Sequence, residues 1–348
     1  MRRHVIKALV CGLMAVGASR VAESGVTARA QTPAQTVPAA RASAADPNKF
    51  AVIISGASGE EAYAKQFARW TAELRGVLTG RLGFAEDRLK VLAESPAAGA
   101  AGACSTAEEV RRVFESLRGA TGPESRLFVF FVGHGTFDGK QAKFNLVGPD
   151  ITAGEYAGLL GALQARRVVV FNLSSASGEF AKALSGRGRV VVTATRSGQE
   201  QNAPRFAEHF IAALTGRESD ADQNGRVSVL EAFDYAARLT AEHYKRAGRL
   251  ATEHALLEDS GDGVGHERAE GGDGALARTT YFDSLTVEQA AASAEVGRLL
   301  RERTRYEEEI EQLKARKREM AEGQYESELE RLFVGLAKTN RSIKRGGQ

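Results

Sequence analysis

Hydrophobic positions along the chain follow two alternating rhythms. Short continuous apolar runs, rich in β-branched and aromatic residues, occur at Phe50–Ser55, Leu89–Leu92, Arg126–Val132, Arg167–Asn172 and Arg189–Ala194. Each is too short for a helix and stops at small polar residues, as strands buried on both faces of a parallel sheet do. Between them, apolar residues recur at helical spacing over Glu60–Leu82, Thr106–Leu117, Ala153–Leu163 and Pro204–Leu214. Tyr63, Phe67, Trp70, Leu74 and Leu78 mark the first of these helices, and Val110, Val113, Phe114 and Leu117 the second, with Ser105 or Thr106 as its cap. Strands separated by helices of this length predict right-handed crossovers and a mostly parallel sheet with helices on both faces.

Beyond about Leu257 the pattern dissolves into Gly- and Asp-rich sequence, read as loop and assigned to residues 266–285. Residues 286–348 are different again. Leu299, Tyr306, Leu313 and Met320 are seven apart among abundant Arg, Lys and Glu, and Arg303 and Lys317 interrupt the companion seam. Glu322-Gly323-Gln324 breaks the pattern, and Tyr325, Leu329, Leu332, Phe333 and Leu336 resume it. A helical hairpin or short coiled coil is expected, self-packed or used for homo-oligomerisation.

Composition narrows the function classes. A formal charge of +3 over 348 residues, with acids and bases interleaved, gives no footprint for nucleic acid. Arg2, Arg3 and Lys7 followed by apolar Ala8–Ala18 and Ala28-Arg29-Ala30 read as an export signal over residues 1–30, implying a periplasmic or secreted protein. Residues 31–47, rich in Ala, Pro, Thr and Ser, read as a disordered linker. The apolar segment is too short for a membrane span. Cys11 lies in the signal, which leaves Cys104 as a single thiol in an Ala/Gly-rich loop and excludes an intrachain disulfide.

In open parallel sheets the working groups stand just past the carboxyl ends of the strands. Two strand ends here carry chemistry: Gly133-His134-Gly135 and Ser175-Ala176-Ser177-Gly178. An imidazole beside a small hydroxyl residue suggests a hydrolytic dyad. These motifs, their spacing and the following Val190–Glu200 stretch resemble the caspase-like peptidases of the legumain, metacaspase and caspase group over about residues 48–265. In that family the first strand ends in His-Gly and the next in Cys-x-Ser-Gly. The resemblance therefore implies a caspase-like α/β fold, His134 as proton acceptor, the Gly135 N–H as oxyanion donor, and Ser175 where the family has its cysteine.

A hydroxyl is far less acidic than a thiol of pKa about 8.5, so serine needs a base during attack and usually a third group to orient that base. Asp138 is the nearest acid in sequence, and Ser174 is the alternative nucleophile if the register slips by one. Relatives that cut after basic residues carry an acid just before the nucleophile, where Asn172 and Leu173 stand here.

A second motif runs from Asp220 to Glu231. Asp220, Asp222, Asn224, Ser228 and Glu231 occupy loop positions 1, 3, 5, 9 and 12, Gly225 position 6, and the Arg226 carbonyl position 7. This is the ligand pattern of an EF-hand Ca²⁺ loop. The alternative is a polar turn with Ser228 capping a helix from Val229. Asp259 and Asp262 are read as ordinary loop residues, and His209, His254 and His266 as surface residues. The expected function is an exported caspase-like homologue that has lost catalysis and binds a peptide or protein in its groove. The alternatives are an active endopeptidase or esterase using Ser175 and His134, and a Ca²⁺-stabilised assembly protein.

Overall fold

A computed structural model describes residues 46–96, 102–223, 225–283, 294–317 and 320–346. The export signal, the linker up to residue 45, Asn224 and residues 284–293 lie outside the described residues. Strands β1 (Lys49–Ser55), β2 (Leu89–Ala93), β3 (Gly102–Cys104), β4 (Arg126–Val132), β8 (Arg167–Asn172), β9 (Arg189–Thr193) and β10 (Leu256–Glu258) form one sheet in the order β10-β9-β8-β4-β1-β2-β3. All pairings are parallel except that of β10 with β9. A small antiparallel sheet of β5 (Gly135–Phe137), β6 (Ala142–Phe144) and β7 (Ile151–Thr152) projects beyond the end of β4.

The continuous apolar runs are explained by burial on both faces. Ala51, Ile53, Phe128, Phe130, Val169, Phe171, Val190 and Val192 pack under α1 (Glu61–Gly80), α5 (Phe206–Thr215) and α6 (Val229–Arg246). Their neighbours in the strands, including Val52, Ile54, Val129, Phe131, Val168 and Val170, meet α2 (Ala107–Ala120), α3 (Ala153–Gly161) and α4 (Glu179–Leu184) on the other face. Side chains alternate along a strand, so a strand with two covered faces must be apolar at every position. Phe171 anchors the first layer, with ring centroids 5.0 Å from Phe130, 4.6 Å from Phe210 and 5.5 Å from Phe282.

Several elements depart from the sequence pattern. Cys104 closes a three-residue edge strand, where a loop was expected. The Gly/Asp-rich stretch also does more than connect. It supplies β10 and a short helix α7 (Ala275–Thr279), and its Ala277 and Phe282 belong to the main core. The polar sequence is spent on backbone groups that strands and long helices would otherwise satisfy. Asp259 accepts from the N–H of Gly274 and Ala277 at 2.7 and 2.6 Å, and Asp273 accepts from those of Asp259 and Ser260 at 2.8 and 2.9 Å. Burial raises the Asp259 pKa to about 6, against these donors.

The C-terminal helices α8 (Ala294–Ala315) and α9 (Glu322–Gly346) pair as a hairpin around Ile310, Leu313, Tyr325 and Leu332. The reversal precedes Glu322, so Glu322-Gly323-Gln324 begins the second helix instead of breaking it. Phe333, grouped with the apolar stripe by its sequence, is 47% exposed because Leu332 takes the inward place. The α8 helix is docked on the α/β body through Arg166–Glu308, Arg278–Glu311 and Tyr281–Glu307 contacts. Among the described residues no helix is long and apolar enough to cross a membrane.

At the opposite edge from the strand ends considered below, Lys49 is wholly buried at the start of β1. Its Nζ donates to the Leu82 carbonyl at 2.5 Å and lies 4.0 Å from the Phe84 ring centre. Burial, reinforced by the Arg126 charge, lowers its pKa from 10.5 to about 7. The unfolded chain then binds more protons than the folded one between these two values, so stability rises with pH across that window and its gain is lost as pH falls through 7. Denaturant unfolding measured from pH 7 to pH 10 should show this rise, and Lys49→Met should flatten it while adding about 1–3 kcal/mol at neutral pH.

Candidate functional site

The site is built from turns at the carboxyl edge of β4, β8 and β9. After β8 the chain makes a tight turn in which Asn172 Oδ1 accepts from Ser174 N–H at 3.2 Å and from Ser174 Oγ–H at 2.6 Å. Ala176 then adopts φ 51° and donates its N–H to the Glu200 carbonyl at 2.8 Å. Ser177 Oγ receives the N–H groups of Ala194 and Thr195 at 3.1 and 3.2 Å and meets Thr195 Oγ1 at 3.1 Å. Gly178 is required by this packing, since a Cβ there would lie 2.2 Å from the backbone of Arg196 and Ser197. The Ser-x-Ser-Gly motif is therefore a clasp between the β8 and β9 turns.

The second turn is held from outside. Glu200 accepts from Arg196 N–H at 2.9 Å and from His254 N–H at 3.0 Å, and its Oε1 lies 2.6 Å from His254 Nδ1. His254 and His266 are thus partly buried anchors instead of free surface residues, His266 pairing through Nδ1 with the buried Asp273 carboxylate at 2.7 Å. That carboxylate raises the His266 pKa. Burial lowers the pKa of His209, which packs near His243 with ring centroids 6.3 Å apart.

Ser175 and His134 lie on adjoining strand ends. Ser175 is only 2% exposed, and its hydroxyl is engaged with a single residue, Gly135. It accepts from the Gly135 N–H at 3.3 Å and donates to the Gly135 carbonyl at 3.4 Å. Among the described residues it makes no hydrogen bond to His134. A Cβ at Gly135 would stand 2.5 Å from the Ser175 carbonyl, so only glycine permits this approach. The imidazole is half-buried against α1, with ring centroids 4.6 Å from Tyr63 and 5.1 Å from Phe67, both edge-on. Burial holds its pKa below the ordinary histidine value, while the Ser58 main chain and Glu60 pull the other way.

The remaining sequence candidates resolve differently. Ser174 is fully buried and its hydroxyl is committed to Asn172, so it has no access to a reacting group. Asp138 does not orient the imidazole: its Oδ1 accepts from the N–H of Lys140 and Gln141 at 2.9 and 2.8 Å, closing the β5–β6 hairpin. Asn172 and Leu173 are both buried. Asn172 is buried as the turn's acceptor, and Leu173 is part of the core beneath α1 and α5. Ser58, Tyr63, Phe67, Glu94, Glu200 and His254 complete the site's surroundings, and all but Glu200 lie outside the sequence motifs. Tyr63 and Phe67 were legible only as helix-face positions, and Glu200 only as the last residue of the family-like Val190–Glu200 stretch, with no role attached.

In the loop from Asp220 to Glu231, the carboxylates of Asp220, Asp222 and Glu231 converge, with one oxygen of each within 4.8 Å of the others. Gln223 and Gly225 take left-handed conformations with φ 55° and 83°. Glu231 Oε2 and Ser228 form a capping box on α6, and Glu231 Oε1 accepts from the N–H of Ala221 and Asp222 at 3.0 and 3.3 Å. Ser228 therefore points its hydroxyl at Glu231. The Arg226 side chain leaves the loop to pair with Asp283 at 2.9 Å, lying 3.7 Å above the Tyr281 ring. Three hard-oxygen donors on one turn match the chemistry of Ca²⁺ ligation.

No protein-family model matches the chain, and no curated protein matches its sequence. Distant likeness to solved structures does emerge. A Geobacter sulfurreducens protein solved as a structural-genomics target is 14% identical at a TM-score of 0.39, covering 56% of this chain and 89% of that one. The Drosophila initiator caspase Dronc is 8% identical at a TM-score of 0.41, covering 72% of this chain and 94% of that one. Raptor from Chaetomium thermophilum is 10% identical at a TM-score of 0.33, covering 52% of this chain and 19% of that one.

Proposed function

We propose that the protein is an exported caspase-like homologue in which catalysis has been lost and the strand-end groove binds an extended peptide or protein segment. The observation that carries this reading is the state of Ser175. Its buried hydroxyl bonds to both main-chain groups of Gly135 and not to the imidazole. Serine attack needs a base in contact with the hydroxyl and an oxyanion donor free to receive charge. Here the base has no hydrogen bond to the hydroxyl, and the Gly135 N–H is already taken by it. The family resemblance of the Gly133–Gly135 and Ser175–Gly178 motifs supports the groove, and the basic, then apolar N-terminus supports export.

The parent should turn over a fluorogenic peptide library no faster than Ser175→Ala and should remain unlabelled by a fluorophosphonate probe. Turnover or labelling that disappears in Ser175→Ala would sink the reading in favour of an active Ser175–His134 hydrolase. In parallel, peptides selected from the library by fluorescence polarisation should bind the parent, with affinity falling about tenfold in His134→Ala, the loss of one charge-free ligand contact.

A second property is supported by the convergence of Asp220, Asp222 and Glu231: Ca²⁺ binding in that loop, with Asn224 and the Arg226 carbonyl as the further ligands that the motif implies. Because Glu231 also caps α6, occupancy would stabilise the helix start. For a single loop, a dissociation constant of about 10⁻⁴–10⁻³ M is expected. Calorimetric titration with Ca²⁺ should give heat and a raised melting temperature in the parent and neither in the Asp220→Asn, Asp222→Asn double variant. Equal heats in the two proteins would remove the site.

A further inference from the structure

On the α3–α4 face of the sheet, the two chain segments that follow the Gly135–Ser175 contact border an open crevice of about 650 Å³. The β5–β6 hairpin forms one side and α4 the other, and the first turn of α3 completes the lining. Both sides are fixed to the β9 turn. Phe137 lies so close to Gly198 that a Cβ there would stand 2.3 Å from its ring, and Glu179 Oε1 accepts the Gly198 N–H at 3.4 Å. The small side chains of Ala142 and Ala153, both buried, leave the space unfilled.

The polar groups around this space are mostly of one sign. Lys140 comes from the hairpin turn and Lys182 from α4; both are exposed, and among the described residues neither ammonium has an ion-pair partner. Thr152 caps α3 by accepting the Glu155 N–H at 3.1 Å, which leaves the N–H groups of Ala153 and Gly154 without an acceptor inside the helix. Those donors carry the positive end of the helix dipole. Glu179 is the single acid among the described lining residues, and its carboxylate is already engaged by the Gly198 N–H.

We infer that the crevice is a subsite for carboxylate side chains of the bound segment, so that the groove selects acidic peptides. Resting on the peptide-binding reading above, this assigns its ligand class. Two ammonium groups on separate elements can hold a carboxylate through charge-assisted hydrogen bonds, whereas a basic side chain would find only Glu179 and would compete with its bond to the β9 turn. Phe137 and Glu179 stand two and four residues beyond Gly135 and Ser175, so a segment laid across the strand ends reaches the crevice within a few residues.

The test uses the full chain and two fluorescein-labelled Gly-Ser peptides, one with central glutamates and one with glutamines at the same positions, read by fluorescence polarisation. The parent should bind the glutamate peptide about five- to tenfold more tightly, and about 1 M salt should remove most of that difference. Lys140→Gln combined with Lys182→Gln should abolish the preference, and Lys140→Glu with Lys182→Glu should reverse it, with circular dichroism unchanged because both side chains are exposed. Equal affinity of the parent for the two peptides, or a glutamate preference that survives in the double glutamine variant, would overturn the inference and leave the peptide-binding reading standing. A glutamate preference that depends on both lysines but is indifferent to His134→Ala would keep the acidic subsite and remove the strand-end groove. Binding of neither peptide would overturn both.

Discussion

Everything at the carboxyl edge of the sheet depends on one close approach, that of the β8 turn to the β9 turn. Parallel strands deliver their last carbonyls and the following N–H groups side by side with no partner strand beyond them, and buried backbone groups of this kind must be paired. Ser177, Thr195 and the absent side chain of Gly178 solve that problem locally. Once the two turns are locked, Ala176 is driven into a left-handed conformation and Ser175 is presented to Gly135. The residue that chemistry would single out is placed by its neighbours two and three positions on.

This explains what could be read from sequence and what could not. The strands and their order of burial were legible because two covered faces leave no room for polar residues in Val129–Val132 or Val168–Phe171. Helices with a full apolar stripe, such as α1 and α2, were legible for the corresponding reason. The short elements escaped: β3, the β5–β7 sheet and α4 are shorter than the period that would reveal them, and α7 is started by Asp259 at a distance of fifteen residues or more in sequence. The site divided in the same way. The positions of His134 and Ser175 follow from strand ends, whereas the packing of His134 against Tyr63 and Phe67 of α1 joins distant parts of the chain and leaves no local trace.

The charged residues show a similar separation between pattern and role. Asp138 looked like a partner for the imidazole because it is near in sequence, yet a turn two residues later needs it more. Arg226 occupies the middle of a ligand-like loop and contributes its side chain to Asp283 and Tyr281 instead, next to the seat of α8. An acid or base in a motif can be committed to backbone satisfaction first, and its chemistry is decided by what remains over.

The contact between Ser175 and Gly135 has a consequence for recognition. The hydroxyl is a ligand tethered to its own receptor, held against the Gly135 N–H at the effective concentration of an intramolecular partner. A peptide carbonyl arriving at that N–H does not meet an open donor; it enters an exchange in which one hydrogen bond must be released for another to form. Any carbonyl that approaches that N–H must first displace the serine hydroxyl, which acts there as a built-in competitor.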